Sequence, residues 1–405
     1  MINPKHFQTE GTVLTKYTGP VGPVEIPEGI TVIGDSAFWE QKNITSVTMP
    51  DTVTEIQSHA FYGCSDLYTV RFSQNLRSIS SNAFGACVNL KSVEIPESVT
   101  RLGNLAFVDC HNLSRVKVSP ELVHNSPRCF AGCRKLADEK GFVILHNVIC
   151  DYYGPGGDMV IPDGIITVAP WAFYSIDDSK RLTSVVIPGS VKTIGDSACL
   201  SDKLTSVTME EGLCTIGKNA FRGAALTTVR IPSTVTVMEQ EVFALCPLQT
   251  IEMNPAIFSQ WSWTDIPNAS LGIAVRDGEN WRFYGYCAKT YDDSFTVFVH
   301  RGKWNAYDLE LINNGPTYRF KAPARLLGSL GRLVDPVELT DECKELHLEF
   351  LIKNAKKLIP IAEQLRCPAI VEAMKEHGII NDKNRKAIAK LLAASQVPEI
   401  AAIGL

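Results

Sequence analysis

Two stretches, Gly34-Asp35-Ser36 and Gly195-Asp196-Ser197, set a serine behind a glycine and an acid in the manner of the nucleophile block of a lipase-type hydrolase. A serine attacks only when a histidine is held within hydrogen-bond reach to take its proton, and the eight histidines show no placement related to either serine. Cys129, Cys133, His146 and Cys150, with His124 nearby, have the residue types and spacing of a tetrahedral zinc site. Cysteines at 64, 87, 110 and 133 follow one another at intervals of 23 residues, a regularity that invites the idea of a chain of disulfides. No phosphate-binding glycine loop, HExxH helix or spaced carboxylate pair stands out, and Gly154-Pro155-Gly156-Gly157 has the composition of a turn.

The same regularity offers a plainer origin for each of these groups. Ser36 and Ser197 both fall just before the Ala of a recurring Ala-Phe place. Cys133 belongs to the cysteine ladder, Cys129 fills the Ala of Ala-Phe, and Cys150 stands opposite Thr15 in a duplicated segment. In-register cysteines on neighbouring turns project in parallel rather than toward each other, which does not suit the Cβ geometry of a disulfide. They are expected as buried reduced thiols, each behaving as a small hydrophobe. No catalytic, cofactor-binding or metal-ligating residue is therefore assigned.

A block of about 23 residues recurs nine times between Ile26 and Glu252. Residues 49 to 72 show the unit: Met49-Pro50, Val53, Ile56, Ala60-Phe61, Gly63-Cys64, Leu67, Val70 and Phe72. A fixed period of this size is what a stacked solenoid writes into a sequence. Leu67, Val70 and Phe72 suit a short strand, and Pro50, Pro96, Pro188 and Pro232 remove a backbone donor where that strand stops. One strand per turn predicts a parallel sheet on one face. A lone repeat would gain on the order of 15 kcal/mol from its apolar side chains against ~1.5 kcal/mol of ordering cost per residue, so repeats fold only by stacking.

The pattern leucine-x-x-leucine-x-leucine-Pro followed by Ile-Gly-x-x-Ala-Phe-x-x-Cys resembles the BspA-like leucine-rich repeats of bacterial surface and secreted proteins. Ile33-Gly34-Asp35-Ser36-Ala37-Phe38 and Ile194-Gly195-Asp196-Ser197-Ala198 carry it most closely, and the resemblance covers residues 11 to 252. It implies a leucine-rich repeat solenoid and, generally, adhesion or protein recognition.

A second level of repetition links residues 11–34 to 146–169 at an offset of 135. Val13-Leu14, Tyr17, Gly19-Pro20, Gly22 and Ile26-Pro27 meet Val148-Ile149, Tyr152, Gly154-Pro155, Gly157 and Ile161-Pro162. Both copies read as β-hairpins with a Gly/Pro turn. The expected organisation is a hairpin cap over 1–25, a solenoid over 26–253 with a hairpin insertion at about 141–160, a β-rich aromatic subdomain over 254–335 and a helical region over 336–405. The subdomain would bury Trp261, Trp263, Trp281, Phe295, Phe298 and Trp304. In the helical region Asp341 is the expected N-cap of one helix, Pro360 lies near another's start, Gly378 ends a third, and Asn381 or Asp382 caps the next. The pair of similar segments from Ile361 and Ile388 faintly resembles an ankyrin-type helix pair without the ankyrin turn signature.

Composition narrows the partners. Residues 1–253 hold 20 Lys and Arg against 26 Asp and Glu, and residues 254–405 hold 19 against 18, so neither part has the cationic excess of a nucleic-acid binder. No apolar run approaches a membrane span. The opening MINPKHFQTEGTV has neither a basic leader nor an apolar core, so a cytoplasmic location is expected.

What remains is the solenoid's outward face. One column of residues between the core positions runs through Ser46, Thr69, Ser92, Arg115, Ser184, Ser206, Thr228 and Thr250. Its neighbour runs through Thr48, Arg71, Glu94, Lys117, Val186, Thr208, Arg230 and Glu252. Such columns suit a solvated sheet, and they equally suit a polar recognition face with Arg71 and Arg230 as anchors. The sequence thus points to a non-catalytic scaffold that binds an unidentified protein partner through this face. The alternative is carbohydrate binding or cell-surface adhesion, with Trp261, Trp263 or Trp281 as a sugar platform.

Overall fold

The computed structural model describes residues 6–248, 250–253, 273–277, 280–284, 322–334, 336 and 339–405. It contains two compact units. The first comprises Met1–Gly156, Pro162–Lys180 and Thr193–Ala198, and the second Gly157–Ile161, Arg181–Lys192 and Cys199–Leu405.

In the first unit each regular turn contributes the expected strand and, in addition, a two-residue strand at or near the Ile of Ile-Gly. The expected strands Gly22–Glu25, Ile44–Thr48 and Thr69–Arg71 pair in parallel, as do Ser92–Glu94 and Arg115–Lys117. The short strands Val32–Ile33, Glu55–Ile56, Ser78–Ile79 and Arg101–Leu102 form a second parallel sheet, with Ile33, Ile56, Ile79 and Leu102 in register. Two residues show no periodicity, which is why this sheet is invisible in the sequence.

Between the sheets run the ladders that the spacing anticipated. Tyr17, Phe38, Phe61, Phe84, Phe107 and Phe130 stack ring on ring, with centroids 4.6 to 5.3 Å apart. Each of the six is buried, and each pair gains about 0.5–1.5 kcal/mol beyond its area burial. Beside them the Sγ of Cys64, Cys87, Cys110 and Cys133 donates to the carbonyl of Phe38, Phe61, Phe84 and Phe107, at 3.1 to 3.2 Å. The ladder thiols are thus reduced and satisfied one turn back, and no disulfide joins them. In the second unit Cys246 repeats the arrangement on the Phe221 carbonyl at 3.1 Å, and Phe221 stacks on Phe243.

Each turn bends twice through left-handed backbone. The first bend is at Ser36, His59, Asn82 or Leu105, and the second at Glu40, Gly63, Ala86, Asp109 or Gly132. Gly63 and Gly132 adopt φ of 73° and 82°, whereas Ala86 holds φ of 55° with a Cβ. An L-residue pays about 1 kcal/mol there, so Ala86→Gly is expected to raise stability by about 0.5–1 kcal/mol, the reverse of the usual sign for this exchange. A urea midpoint that falls in the variant would refute that strain.

The duplication at an offset of 135 extends to backbone irregularities. Strands Phe7–Glu10 and Val13–Tyr17 pair antiparallel with a bulge between Gln8 and Thr9, and strands Phe142–Leu145 and Val148–Tyr152 do so with one between Val143 and Ile144. Each hairpin then hands on in parallel to the next short strand, Leu14 to Ile33 and Ile149 to Val168. Tyr17 and Tyr152 each donate their hydroxyl to a proline carbonyl, Pro20 at 3.0 Å and Pro155 at 2.9 Å.

Their outer surfaces differ. Gln8, Thr9, Glu10 and Lys16 of the first hairpin are exposed, and this hairpin ends its sheet. In the second, Val143, Val148 and Cys150 join the same core as Leu122, Val123, Cys129 and Phe130, and the Asp151 carboxylate accepts from the Gly132 amide at 2.9 Å and from the Tyr153 hydroxyl. One hairpin is a polar cap and the other an apolar joint to the degenerate fifth repeat. In that repeat a helix, α1 (Pro120–Asn125), replaces the second strand; Ser119 caps it by accepting from the Leu122 amide, with Pro120 in its first turn.

The second unit carries its own ladders, Gly157–Val160 with Leu182–Ile187 and Ser206–Met209, and Thr228–Arg230 with Thr250–Glu252. Strand Ile273–Asp277 extends the last of these in parallel, and Asn280–Tyr284 returns antiparallel. Helix α2 (Ala322–Val334) lies against the returning strand, where a Cβ on Gly331 would sit 1.5 Å from the Phe283 carbonyl. Five helices follow: α3 (Asp341–Asn354), α4 (Leu358–Gln364), α5 (Ala369–Glu376), α6 (Arg385–Ala393) and α7 (Pro398–Ala401). Leu327, Leu330, Leu351, Leu358, Ile370 and Ile388 share their core.

The caps differ by one to three residues from those expected. Thr340 rather than Asp341 caps α3 by accepting from the Cys343 amide, because a β-region residue ahead of the first turn can aim its oxygen back. Asn384 rather than Asn381 or Asp382 precedes α6, its side chain tied to the Asn381 amide. Gly378, at φ of 68°, follows α5 as expected. Trp261, Trp263, Phe295, Phe298 and Trp304 lie outside the described residues, and Trp281 falls within strand Asn280–Tyr284.

Candidate functional site

The groups that invited catalysis or metal binding are engaged elsewhere. Ser36 donates its hydroxyl to the neighbouring Asp35 carboxylate at 2.8 Å, and Ser197 is buried. His146 holds its Nε2 2.8 Å from the Val118 carbonyl, while the Cys133 Sγ points to the Phe107 carbonyl. Burial pushes the Cys150 thiol up to about 12 and raises Cys129 well above its ordinary value. Among the described residues no three His, Cys, Asp or Glu side chains are arranged to hold a metal ion.

The outward columns do form. Pairing sets Ser46 beside Thr69 and Thr48 beside Arg71, then Ser92 beside Arg115 and Glu94 beside Lys117. In the second unit it sets Ser184 beside Ser206, Val186 beside Thr208, Thr228 beside Thr250, and Arg230 beside Glu252. Alternation explains the aim: Val47, Val93, Val185 and Val229 between them are buried. The ladder lapses between the strands of Arg71 and Glu94, and again between those of Thr208 and Thr228, so each column is a run of short segments.

Charge divides the two units. In the first, Arg71 and Arg115 are exposed, and among the described residues neither makes a side-chain hydrogen bond or ion pair. Lys91 stands 5.7 Å over the Tyr68 ring at the edge of the same face. Lys117 is bonded to Glu94, whose carboxylate raises its pKa above the ordinary lysine value. In the second unit Arg230 sits between Glu252, at 3.4 Å, and Glu211, at 3.8 Å. Hydrogen bonds from Ser233 hold the Glu211 carboxyl below its ordinary range, and those from Ser184 and Thr183 do the same for Asp158. Of the two expected anchors, Arg71 is therefore unengaged and Arg230 is already held by carboxylates.

Among the described residues the helical region meets this face at Thr250. Thr250 donates its hydroxyl to the Leu365 carbonyl at 3.4 Å, whereas Ser206, Thr208, Thr228 and Arg230 stay exposed. Exposed Trp39 and half-buried Tyr62 could suggest a sugar platform, but they stack on each other, with centroids 4.9 Å apart. The other face of Tyr62 lies over Gly85, where a Cβ would come within 2.7 Å of the ring.

Among the described residues no helix is long and apolar enough to cross a membrane. The model of the BspA type leucine rich repeat region matches residues 16–138 and 157–262 in six copies, more than half of the chain. Similar solved structures include a leucine rich repeat protein of T. pallidum, 21% identical over 61% of this chain and 89% of that one, with a TM-score of 0.29. A leucine rich cell surface protein of Faecalibacterium prausnitzii is 23% identical over 62% and 86%, with a TM-score of 0.31. A leucine-rich repeat protein of Eubacterium ventriosum is 19% identical over 66% and 87%, with a TM-score of 0.36. No curated protein matches the chain. With its six matched copies, its stacked Phe and Cys ladders and its parallel strands in register, the chain belongs to the BspA type leucine rich repeat family.

Proposed function

We propose that the chain is a non-catalytic scaffold that binds a protein partner through the outward columns of its first unit. The observation that carries this is the pair of unengaged guanidinium groups, Arg71 and Arg115, set among exposed Thr69 and half-buried Ser46, Thr48 and Ser92. Arginine offers five donors in a planar fork, and when a partner excludes water from such a group it becomes an energetic anchor. The flanking hydroxyls add many modest hydrogen bonds and little affinity each.

The double reversal Arg71→Glu with Arg115→Glu is expected to abolish recovery of the partner in a pull-down from the native cell, because like-charge contact costs several kcal/mol. Its thermal melt should match wild type, since neither side chain is bonded to a described residue. Undiminished recovery by the folded variant would refute the proposal. The corresponding reversal at Arg230 should change recovery little and stability more, as it sets a third carboxylate beside Glu211 and Glu252.

A further inference from the structure

The replacement of a strand by α1 leaves a gap that the regular repeats do not have. In each regular turn one carbonyl of the second sheet accepts two amides from the next turn: Thr31 from Thr54 and Glu55, Thr54 from Arg77 and Ser78, and Arg77 from Thr100 and Arg101. The next acceptor in this series is the Thr100 carbonyl. Where its two donors would come from, the chain is helical, and among the described residues none replaces them. The companion carbonyl of Leu102 has a substitute in the Ser126 hydroxyl.

Beside the open acceptor lies a cavity of about 380 Å³, walled by the last two short strands and by α1. Ser58, Ser78, Ser81, Thr100, Arg101 and Asn125 are among its lining residues. The hydroxyls of Ser58, Ser78 and Ser81 and the Arg101 guanidinium make no hydrogen bond with the described residues. Ile79, Leu102 and Leu122 also line it, with their side chains buried in the core behind. A cavity of this volume lies within the range of small-ligand sites. Its chemistry is specific: a row of hydroxyls able to give or accept, one bare carbonyl needing a donor, and one fixed cation on the rim.

We propose that this cavity binds an acidic monosaccharide unit, its hydroxyls donating to the Thr100 carbonyl and exchanging hydrogen bonds with the serines while its carboxylate meets Arg101. A simple anion would leave the carbonyl unsatisfied, and a neutral sugar would leave the arginine unused. The site is separate from the outward columns, so a free uronate and the terminal unit of a glycan on another molecule share the same chemistry here.

The test titrates the full chain with sodium D-glucuronate, D-glucose and sodium acetate, each followed by saturation-transfer NMR and calorimetry. Glucuronate is expected to bind with a dissociation constant on the order of millimolar, and glucose and acetate each at least about 10-fold more weakly, the loss of one charge-assisted contact or of the hydroxyl set. Arg101→Gln should weaken glucuronate about 10-fold and leave glucose unchanged, and Ser81→Leu, which fills the cavity, should abolish both. Polymeric and monomeric uronate compared at equal residue concentration distinguish a glycan from the free sugar. The proposal is overturned if glucuronate gives no saturation transfer, if acetate competes as well as glucuronate, or if Arg101→Gln and Ser81→Leu, with wild-type melts, bind as wild type does.

Discussion

Raising the pH from 8 to 10 is expected to strip several kcal/mol from the stability of the first unit. Burial pushes the thiols of Cys64 and Cys150 up to about 12 and raises Cys87, Cys110 and Cys129. Cys133 is raised first by its hydrogen bond with Cys110 and then by burial. In the unfolded chain a thiol releases its proton near about 8.5. Above that pH the unfolded state binds fewer protons than the folded one, so stability falls as pH rises until the folded thiols titrate. The contribution is whole below about 8.5 and lost through about 12. Cys64 and Cys150 then each remove about 1.4 kcal/mol per pH unit, together about 3 kcal/mol per unit. The tyrosines raised by burial, Tyr17, Tyr152 and Tyr153, act with the same sign at higher pH.

The measurement is a series of urea midpoints between pH 7.5 and 10.5 for wild type and Cys110→Ala, a window set by the linkage limits above. The variant should be less stable at neutral pH for want of the sulfur's packing, yet its decline with pH should be shallower than that of wild type. Parallel curves would mean that the thiol at 110 is not held protonated. The same burial predicts that the ladder thiols of the native protein resist an alkylating reagent until denaturant is added.

The largest mutational effect should come from making the second hairpin's outer face look like the first's. Val143→Gln, Cys150→Thr and Asp151→Lys install the residues found at Gln8, Thr15 and Lys16, which the first hairpin carries on its free side. Val143 and Cys150 are 0% and 2% exposed, so the new amide enters apolar surroundings without a partner, at about 2–3 kcal/mol. Losing Asp151 strips the Gly132 amide and the Tyr153 hydroxyl of their acceptor, and the lysine adds an unpaired charge, another 3–5 kcal/mol or so. Together these rival the net stability of a domain. The triple variant should lose its cooperative melt, and a shift of midpoint worth about 1 kcal/mol or less would show that the hairpin is not a joint.

How much of this was legible follows from what a period can carry. The stacked array and the Phe and Cys ladders announce themselves at fixed offsets, and the structure bears them out through register and contact. The duplication holds too, but its hairpins turn at Gly11-Thr12 and His146-Asn147 and not at the expected Gly/Pro segments, whose flanking strands enter different sheets. The second sheet does not announce itself, because a strand of two residues such as Glu55–Ile56 shows no alternation. Helix α1 had a readable start in Ser119-Pro120, but it sits in a degenerate repeat whose period gave no sign of a helix. Helix α2 lies in a stretch expected to be β-rich. Gly328 and Gly331 depress its helical propensity, and Gly331 is there because the Phe283 carbonyl leaves no room for a Cβ.

The candidate face was legible as to which residues point outward and not as to which are engaged. Arg71 and Arg230 are equivalent in the repeat, and both follow a strand valine. Only the fold shows that Glu211, contributed by the preceding turn, reaches Arg230, while among the described residues no carboxylate reaches Arg71. The open Thr100 carbonyl was hidden for a related reason. It arises from donors that are missing on the next turn, and no local pattern in the sequence records a neighbour's absence.

The most direct test of the scaffold's binding face is site-specific photocrosslinking in the native cell. A benzophenone amino acid is placed at Thr69 or Arg115 on the outward columns, or at exposed Trp39 on the turns. A discrete protein adduct is expected from Thr69 and from Arg115 and none from Trp39. Adducts from Trp39 alone, or none from either column position in a folded protein, would contradict binding through the outward columns.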